Sequence, residues 1–284
     1  MLEYISYKLA QLIVSFLPLK FAYFIAEALG RISYYFVHGA REVLRENLRN
    51  AFGDWSEREL SECVRCNFVQ FGKFLADFFY TSKLDSQNIN RVVEIENKEY
   101  IDEAFAKRRG ALALSAHLGN WELGAVTVAL LGYKISVIAL SHEEEKVDAI
   151  FVKQRESKGV NVIPLGKAGR AMRALLHGEM VAILGDRDVT SQGIKMPFFG
   201  KQAIFPRGMP VLAVRTGANI LPCFMIRQRD NRHKLFFEKP FCADLSKNTG
   251  ETEREILVKW IKMLEKYIML YPEQWFMYHR MWDE

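Results

Sequence analysis

The sequence predicts an α/β protein, a mostly parallel sheet flanked by helices, with an N-terminal helical, membrane-associated extension. Three observations carry this reading. From Arg91 onward, short apolar runs alternate with helix-length stretches, as in sheets built from strands joined by crossover helices. Residues 1–80 show helical spacing throughout and no strand-like alternation. The chain also opens on a long apolar stretch with basic residues behind it. These features divide it into a helical region, 1–85, and an α/β domain, 86–284. No repeat or Gly/Ser/Pro tract intervenes.

Composition narrows the class. Half of the 284 residues are apolar and 26% are charged, which excludes a disordered chain. With 39 Lys+Arg against 34 Asp+Glu the net charge is +5, enough for an anionic membrane surface. Basic and acidic residues are interleaved along the whole chain, so nucleic acid is not an expected partner. Of the four cysteines, Cys63 and Cys66 form a C-x-x-C inside a helical stretch. No second ligand pair or preceding strand accompanies them, so they read as free, reduced thiols rather than zinc ligands or a redox pair.

The elements follow in order. Leu9 to Ala26 is apolar but broken by Gln11, Pro18 and Lys20, with Glu27 next. A spanning helix wants about 20 uninterrupted apolar residues. The stretch therefore reads as interfacial rather than as a cleaved signal, with one tilted span as the alternative. Arg31, Arg41, Arg45 and Arg49 follow it and only Lys8 precedes it, so if the stretch does span, the remainder is expected on the cytoplasmic side. Arg41, Arg45 and Arg49 line one helix face, either as a solvated stripe or as a seat for lipid phosphates. Ser56 and Glu59 form a capping box that starts a helix through Phe79. Its Phe68, Phe71, Phe74, Leu75, Phe78 and Phe79 make a core stripe.

In the second region, strands are expected at 110–115, 134–140, 160–164, 180–184 and 220–226, with 234–240 antiparallel to the last. Helices are expected at 119–131, 143–157, 167–177, 208–217 and 252–270, and 198–208 reads as a loop. Active sites of parallel sheets lie at the carboxyl ends of strands, and three such ends carry unusual residues. Ser115-Ala-His117-Leu-Gly-Asn-Trp-Glu122 follows the first strand, Gly185-Asp-Arg-Asp188 follows the fourth, and Phe198 to Gly208 opens a helix. Five residues across a turn allow Glu122 to reach back to His117, fix its tautomer and leave the other ring nitrogen as a base. A structural histidine with an unrelated glutamate is the competing reading. Ser115 lacks a nucleophile elbow, and His117 lacks further ligand-spaced histidines for zinc. Asp186 and Asp188 flank Arg187 as acceptors for a polyol, as metal ligands, or as structurally satisfied carboxylates. Arg207 before Gly208, at a helix start, favours an anion, and Arg155 closes a helix near the same cleft.

Taken together, these segments resemble the bacterial lipid A late acyltransferases, the lauroyl and myristoyl enzymes of the lysophospholipid acyltransferase superfamily. The similarity rests on His117-Leu-Gly-Asn-Trp-Glu122 as the H-x4-E signature. Gly185-Asp-Arg-Asp188, Phe198-Phe-Gly200, Pro206-Arg-Gly208, Thr216 to Pro222 and Tyr271-Pro-Glu-Gln-Trp275 follow in order, and Arg41 to Leu48 resembles the post-anchor stretch. It covers almost the whole chain. Two features differ: the anchor is more broken, and His279-Arg-Met-Trp282 is less basic than the usual ending.

The resemblance implies a cytoplasmic-face, bacterial inner-membrane O-acyltransferase of lipid A and lipopolysaccharide biosynthesis. It would move an acyl chain from an acyl-carrier-protein or coenzyme A thioester to a glycolipid hydroxyl, with no resident cofactor or metal. His117 would be the base and Glu122 its orienter. Asn120, Trp121, Arg155, Asp186, Arg187, Asp188, Arg207 and Gly208 would hold the substrates. Phosphatidylinositol mannoside acyltransferases resemble the sequence too. A thioesterase or lipid hydrolase and a non-enzymatic lipid-binding protein are the other readings.

Overall fold

The computed structural model describes residues 1–106 and 109–282. Four helices come first: α1 (Leu2–Phe16), α2 (Leu19–Phe36), α3 (His38–Ala51) and α4 (Glu57–Tyr80). Then follow β1 (Val93–Glu96), α5 (Glu99–Phe105), β2 (Ala111–Ser115), α6 (Trp121–Leu130), β3 (Ile135–Ala139), α7 (Glu145–Glu156), β4 (Val160–Pro164), α8 (Ala168–Leu176) and β5 (Met180–Leu184). The chain continues through β6 (Ile194–Phe198), β7 (Lys201–Phe205), α9 (Gly208–Thr216), β8 (Asn219–Arg227), β9 (His233–Phe237) and α10 (Thr249–Leu270).

Seven strands form one sheet in the order β1-β9-β8-β2-β5-β3-β4. Every pairing is parallel except β8 with β9. The fold is α/β with a mostly parallel sheet, as the sequence predicts. Central β2 is buried at all five positions, the continuous apolar run expected of a strand covered on both faces. Its side chains alternate: Leu112 and Leu114 enter one core with α8, α9 and α10, and Ala111 and Ala113 enter another with α5 and α6. Because alanines line this second face, space is left above the middle of the sheet.

Local chemistry explains most boundaries. Ser56 and Glu59 make the reciprocal capping box of α4. Gly217, left-handed at φ 66°, ends α9. The segment 198–208, expected as a loop, contains β7, which pairs antiparallel with β6 in a separate hairpin. Residue-level alternation there is masked by Pro197 and Gly200. Neither β1 nor α5 was signalled by the sequence pattern; β1 is only four residues long and is held by β9.

Leu17 and Pro18 divide the N-terminal apolar stretch into α1 and α2. No helix among the described residues is long and apolar enough to cross a membrane. Both helices nevertheless present large apolar side chains outward, Phe16 at 80% and Phe24 at 73% exposure, with Leu9, Leu12, Phe21 and Ile32. The arginine stripe is consumed internally. Arg45 and Arg49 both bond Glu57, and Arg41 bonds Glu42 and the Tyr34 carbonyl. A free seat for lipid phosphates on that face is therefore not what forms.

Candidate active site

β2 and β5 are neighbours in register, with Ser115 opposite Leu184. His117 and Asp186 each lie two residues beyond that pair, so the parallel register brings them side by side. The Asp186 carboxylate is fully buried and accepts two N–H groups. Its Oδ2 takes the backbone N–H of His117 at 2.8 Å, and its Oδ1 lies 2.9 Å from the ring Nδ1. This contact fixes the ring plane and assigns the Nδ1 proton to the carboxylate side, so Nε2 is the nitrogen available as a base. The His117 ring, 26% exposed, meets Trp121 edge-on at 5.2 Å.

The backbone around His117 is held at successive positions. The His117 carbonyl accepts from Phe276 N at 2.7 Å, Gly119 N donates to the Gln274 carbonyl at 2.9 Å, and Asn120 N donates to the Met225 carbonyl at 2.7 Å. Gly119 has φ 68°, and a Cβ there would stand 2.0 Å from the Met225 carbonyl oxygen. Only glycine fits this approach. The Tyr271 to Trp275 landmark thus acts as a brace for the histidine loop.

Glu122 was expected on the His117 ring, and the structure places it elsewhere. Its carboxylate is held bidentate by Arg155 of α7, at 2.9 and 2.6 Å, and accepts from Trp121 Nε1. Entering α6 turns Glu122 across to α7 rather than back to its own loop; Asp186 takes the position on the ring. Burial on its own would weaken the protonated state of Arg155, and the Glu122 carboxylate more than offsets this. Asn120 is likewise not a substrate contact in the main cavity. Its Oδ1 caps Leu123 N at 3.0 Å and its Nδ2 donates to buried Asp77 at 2.9 Å. Of the N–H groups at the start of α6, those of Leu123 and Gly124 are occupied by Asn120.

His117, Trp121, Glu122 and Arg155 stand on a cavity of about 390 Å³ that runs between the sheet and α4 and α6. Ala113, Gly124, Ala125, Val128, Met225 and Leu235 are among its apolar walls, and Phe71, Phe74 and Leu75 of the α4 stripe close it. That stripe is therefore partly cavity wall rather than only core. Arg187, Asp188 and Gly208 line the same space. Asp188 is tied to its own loop, accepting from Thr190 N and Oγ1 and from Gly193 N. Arg207 is bidentate on Glu253 and is not among the cavity-lining residues. The His279 imidazole is held below its ordinary value by burial first, then by Arg187 and His117 nearby. Among the described residues no three His, Cys, Asp or Glu side chains gather as a metal would need.

A cavity of this form, with mostly apolar walls and a few polar groups among them, suits a ligand with a long hydrocarbon body and a reactive polar end. The family model of bacterial lipid A biosynthesis acyltransferases matches residues 3–284. The chain belongs to that family.

Among curated members, the lipid A biosynthesis lauroyltransferase of Escherichia coli is 26% identical over 268 residues, 93% of this chain and 86% of that protein. The palmitoleoyltransferase of the same organism is 23% identical over 266 residues, 93% and 85% of the two chains. The phosphatidylinositol mannoside acyltransferase of Mycobacterium tuberculosis is 26% identical over 196 residues, 66% of this chain. That last alignment spans 62% of the mycobacterial protein's length. Within this lipid A acyltransferase family member, sequence reasoning missed the partner of the histidine. The signal was present as two apolar strands of equal length, each followed at the same offset by His117 or Asp186. Their adjacency in the sheet is a long-range fact that the sequence does not print.

Proposed function

We propose that this chain is a membrane-associated O-acyltransferase that moves a fatty acyl chain from a carrier-protein or coenzyme A thioester to a hydroxyl of a lipid A precursor or related glycolipid. The observation that carries the proposal is His117, oriented by Asp186, standing in the wall of a mostly apolar cavity. The acyl chain would occupy the cavity with its thioester carbonyl near the imidazole. The acceptor hydroxyl attacks the carbonyl carbon and its proton passes to His117 Nε2. The C–S bond then breaks, and the imidazolium returns the proton to the departing thiolate. A base so placed contributes about 10²–10⁴-fold. Asp186 stabilises the imidazolium that forms, and Trp121 and the Glu122–Arg155 pair fix the wall beside it.

The apolar outer faces of α1 and α2 support attachment to a lipid surface without a span, by burial of one helix face at the headgroup boundary. Tyr7 of α1 lines the cavity, so that surface and the site share an element. The cytoplasmic face of the bacterial inner membrane is the location this reading implies. A mannoside-type acceptor is the alternative, favoured by the mycobacterial relatives.

The test is mass spectrometry of lipids after incubating purified protein with acyl thioesters and glycolipid, wild type beside His117→Ala. The expected product is an acceptor heavier by one acyl chain, formed by wild type and reduced at least 100-fold in the variant. Free fatty acid as the sole product would replace transfer by hydrolysis, and undiminished transfer by His117→Ala would remove the histidine from the mechanism.

A further inference from the structure

Between Glu156 and Glu179 the sequence contains no acidic residue, yet it carries Lys158, Lys167, Arg170, Arg173 and His177. Lys158 is occupied by the carbonyls of Ser82 and Leu84. Lys167, Arg170 and Arg173 are exposed, and none has an acidic partner among the described residues. Several cations elsewhere are compensated, with Arg45 and Arg49 sharing Glu57, Arg155 holding Glu122 and Arg207 holding Glu253. What sets the α8 cations apart is that no acid lies within ten residues before Lys167 or five after Arg173. A solvated helix face normally carries both signs, so an uncompensated one is a field directed outward.

Position gives this field a use. Lys167 is the N-cap of α8, two residues after Leu165, which lines the cavity. Arg170, Arg173 and His177 continue along one face at helical spacing, opposite the buried Ala171 and Leu175. Leu165 is 37% exposed as well as cavity-lining and so marks where the cavity meets the surface. At 1.5 Å per residue the stripe extends about 9 Å from Lys167 beside that mouth to Arg173. Leu176, 62% exposed, adds an apolar contact beside it. The positive end of the α8 dipole also lies at the mouth, because the helix begins there with no side-chain cap.

The lipid-facing helices are on another side. Ala171 and Leu175 pack into the core shared by α9 and α10, which α2 reaches only through Tyr34 near its end, whereas α1, the first half of α2 and α7 contribute to a separate cluster with the end of α4. The sheet lies between the α8 layer and the α6 layer. A macromolecule seated on α8 can therefore approach the mouth while α1 and α2 hold the lipid.

We infer that the Lys167–Arg170–Arg173 face of α8 is the docking surface for an acidic acyl carrier protein, which delivers its thioester arm past Leu165 into the cavity. This inference rests on the acyl-transfer reading and names its donor. Carboxylates beside the arm's attachment point would meet the three cations. Steering by such rim charges governs the encounter rate and makes it sensitive to salt.

The experiment is the triple charge reversal Lys167→Glu/Arg170→Glu/Arg173→Glu, none of which touches His117, Asp186 or the cavity wall. Three measurements are made on the full-length protein: carrier binding by calorimetry, turnover of carrier-linked against pantetheine-linked acyl thioester, and sedimentation with anionic vesicles. Carrier affinity is expected to fall about tenfold or more at low salt, with the wild-type advantage shrinking as salt rises. Turnover of the pantetheine thioester and vesicle binding should stay within twofold. A carrier carrying the opposite reversal should recover binding.

Unchanged carrier affinity would overturn the docking surface. So would an equal loss with both donors, or loss of vesicle binding, which would make α8 a lipid face. Should wild type acylate no lipid with any donor, the transfer reading fails on its own account. Calorimetry still decides the surface in that case.

Discussion

Among the described residues, two histidine rings stand against an aspartate carboxylate, and only one of them opens on a cavity. Asp186 meets His117 at the edge of a cavity, with one ring nitrogen held and the other facing space. Asp77 meets His233 in the interior, where both are almost completely buried. There the carboxylate is crowded by Tyr23 of α2, Arg227 of β8 and Asn120 of the histidine loop. His233 Nε2 stands 3.2 Å from Asp77 without hydrogen-bond alignment. The pairing of residue types is the same, and the surroundings differ. A base needs a carboxylate on one nitrogen and accessible space on the other. A carboxylate saturated by four neighbours instead locks elements together: Asp77 ties α2, α4, β8 and β9 to the loop that carries His117. Under the proposed acyl transfer, the first would serve proton transfer and the second the placement of the histidine loop.

The sharpest way to break this comparison is to remove each carboxylate and watch different observables fail. Asp77→Ala leaves Arg227 buried without its counter-ion, a defect that typically costs about 3–5 kcal/mol. The thermal midpoint should fall steeply, and activity should be lost in proportion to the unfolded fraction. A midpoint within a few degrees of wild type would show that the network is not a structural lock. Asp186→Asn should act in the opposite sense. Asparagine has one acceptor oxygen for the two N–H groups of His117. Its amide nitrogen must therefore face either the backbone N–H or the ring, and the second arrangement forces the proton onto Nε2. The expected loss is about 10²-fold or more in kcat, with little change in KM for either substrate. Wild-type kcat in a folded Asp186→Asn protein would mean that Glu122 or another group orients the ring.

Acid provides a reversible version of the first experiment. Burial lowers the proton affinity of His233 in the native state, with Arg227 adding and Asp77 opposing. Burial would raise Asp77, but Arg227, His233 and Tyr23 more than offset it and hold the carboxyl below its ordinary range. Both groups thus bind protons less readily when folded than when unfolded. Their contributions are complete above the unfolded pKa values and are lost on acidification, from about pH 6.5 for His233 and below about pH 4 for Asp77. Denaturant midpoints should decline through those two windows. His233→Gln should shrink the first decline, to which His279 also contributes, and leave the second; an unchanged first decline would assign it to His279 or another group.

The sequence made the alternating half of the fold legible, because each of its strands and helices carries its own period and boundary. Strands β2, β3, β4, β5 and β8 and their intervening helices are local patterns of that kind. The hairpin of β6 and β7 was not, since Pro197 and Gly200 obscure alternation and pairing alone defines it. The same division runs through the site. His117 is legible from its place after a strand, but the partner that the sequence suggests, Glu122, lies five residues away, and the one that the fold supplies, Asp186, lies 69 residues away. Likewise Asn120 carries a polar side chain that suits a ligand, and only the packing of α4 against the loop directs it to Asp77. Sequence periodicity reports what each segment buries; it does not report which segments meet.

The smallest effect sharpens the comparison furthest. Tyr23→Phe removes one hydroxyl that donates to Asp77 and leaves the ring in place, including its stacking beneath the Arg227 guanidinium at 4.9 Å. A hydrogen bond to a charged group in the interior is worth about 1.5–3 kcal/mol, and Asp77 keeps Arg227 and Asn120, so the loss should fall near the lower figure. The thermal midpoint should drop by several degrees, while kcat with saturating substrates stays within twofold, because Asn120 continues to hold the histidine loop. If kcat instead falls tenfold in the folded variant, the seat of α2 controls the placement of His117. The helix that presents Phe21 and Phe24 to its surroundings would then be coupled to the reaction site through a single carboxylate.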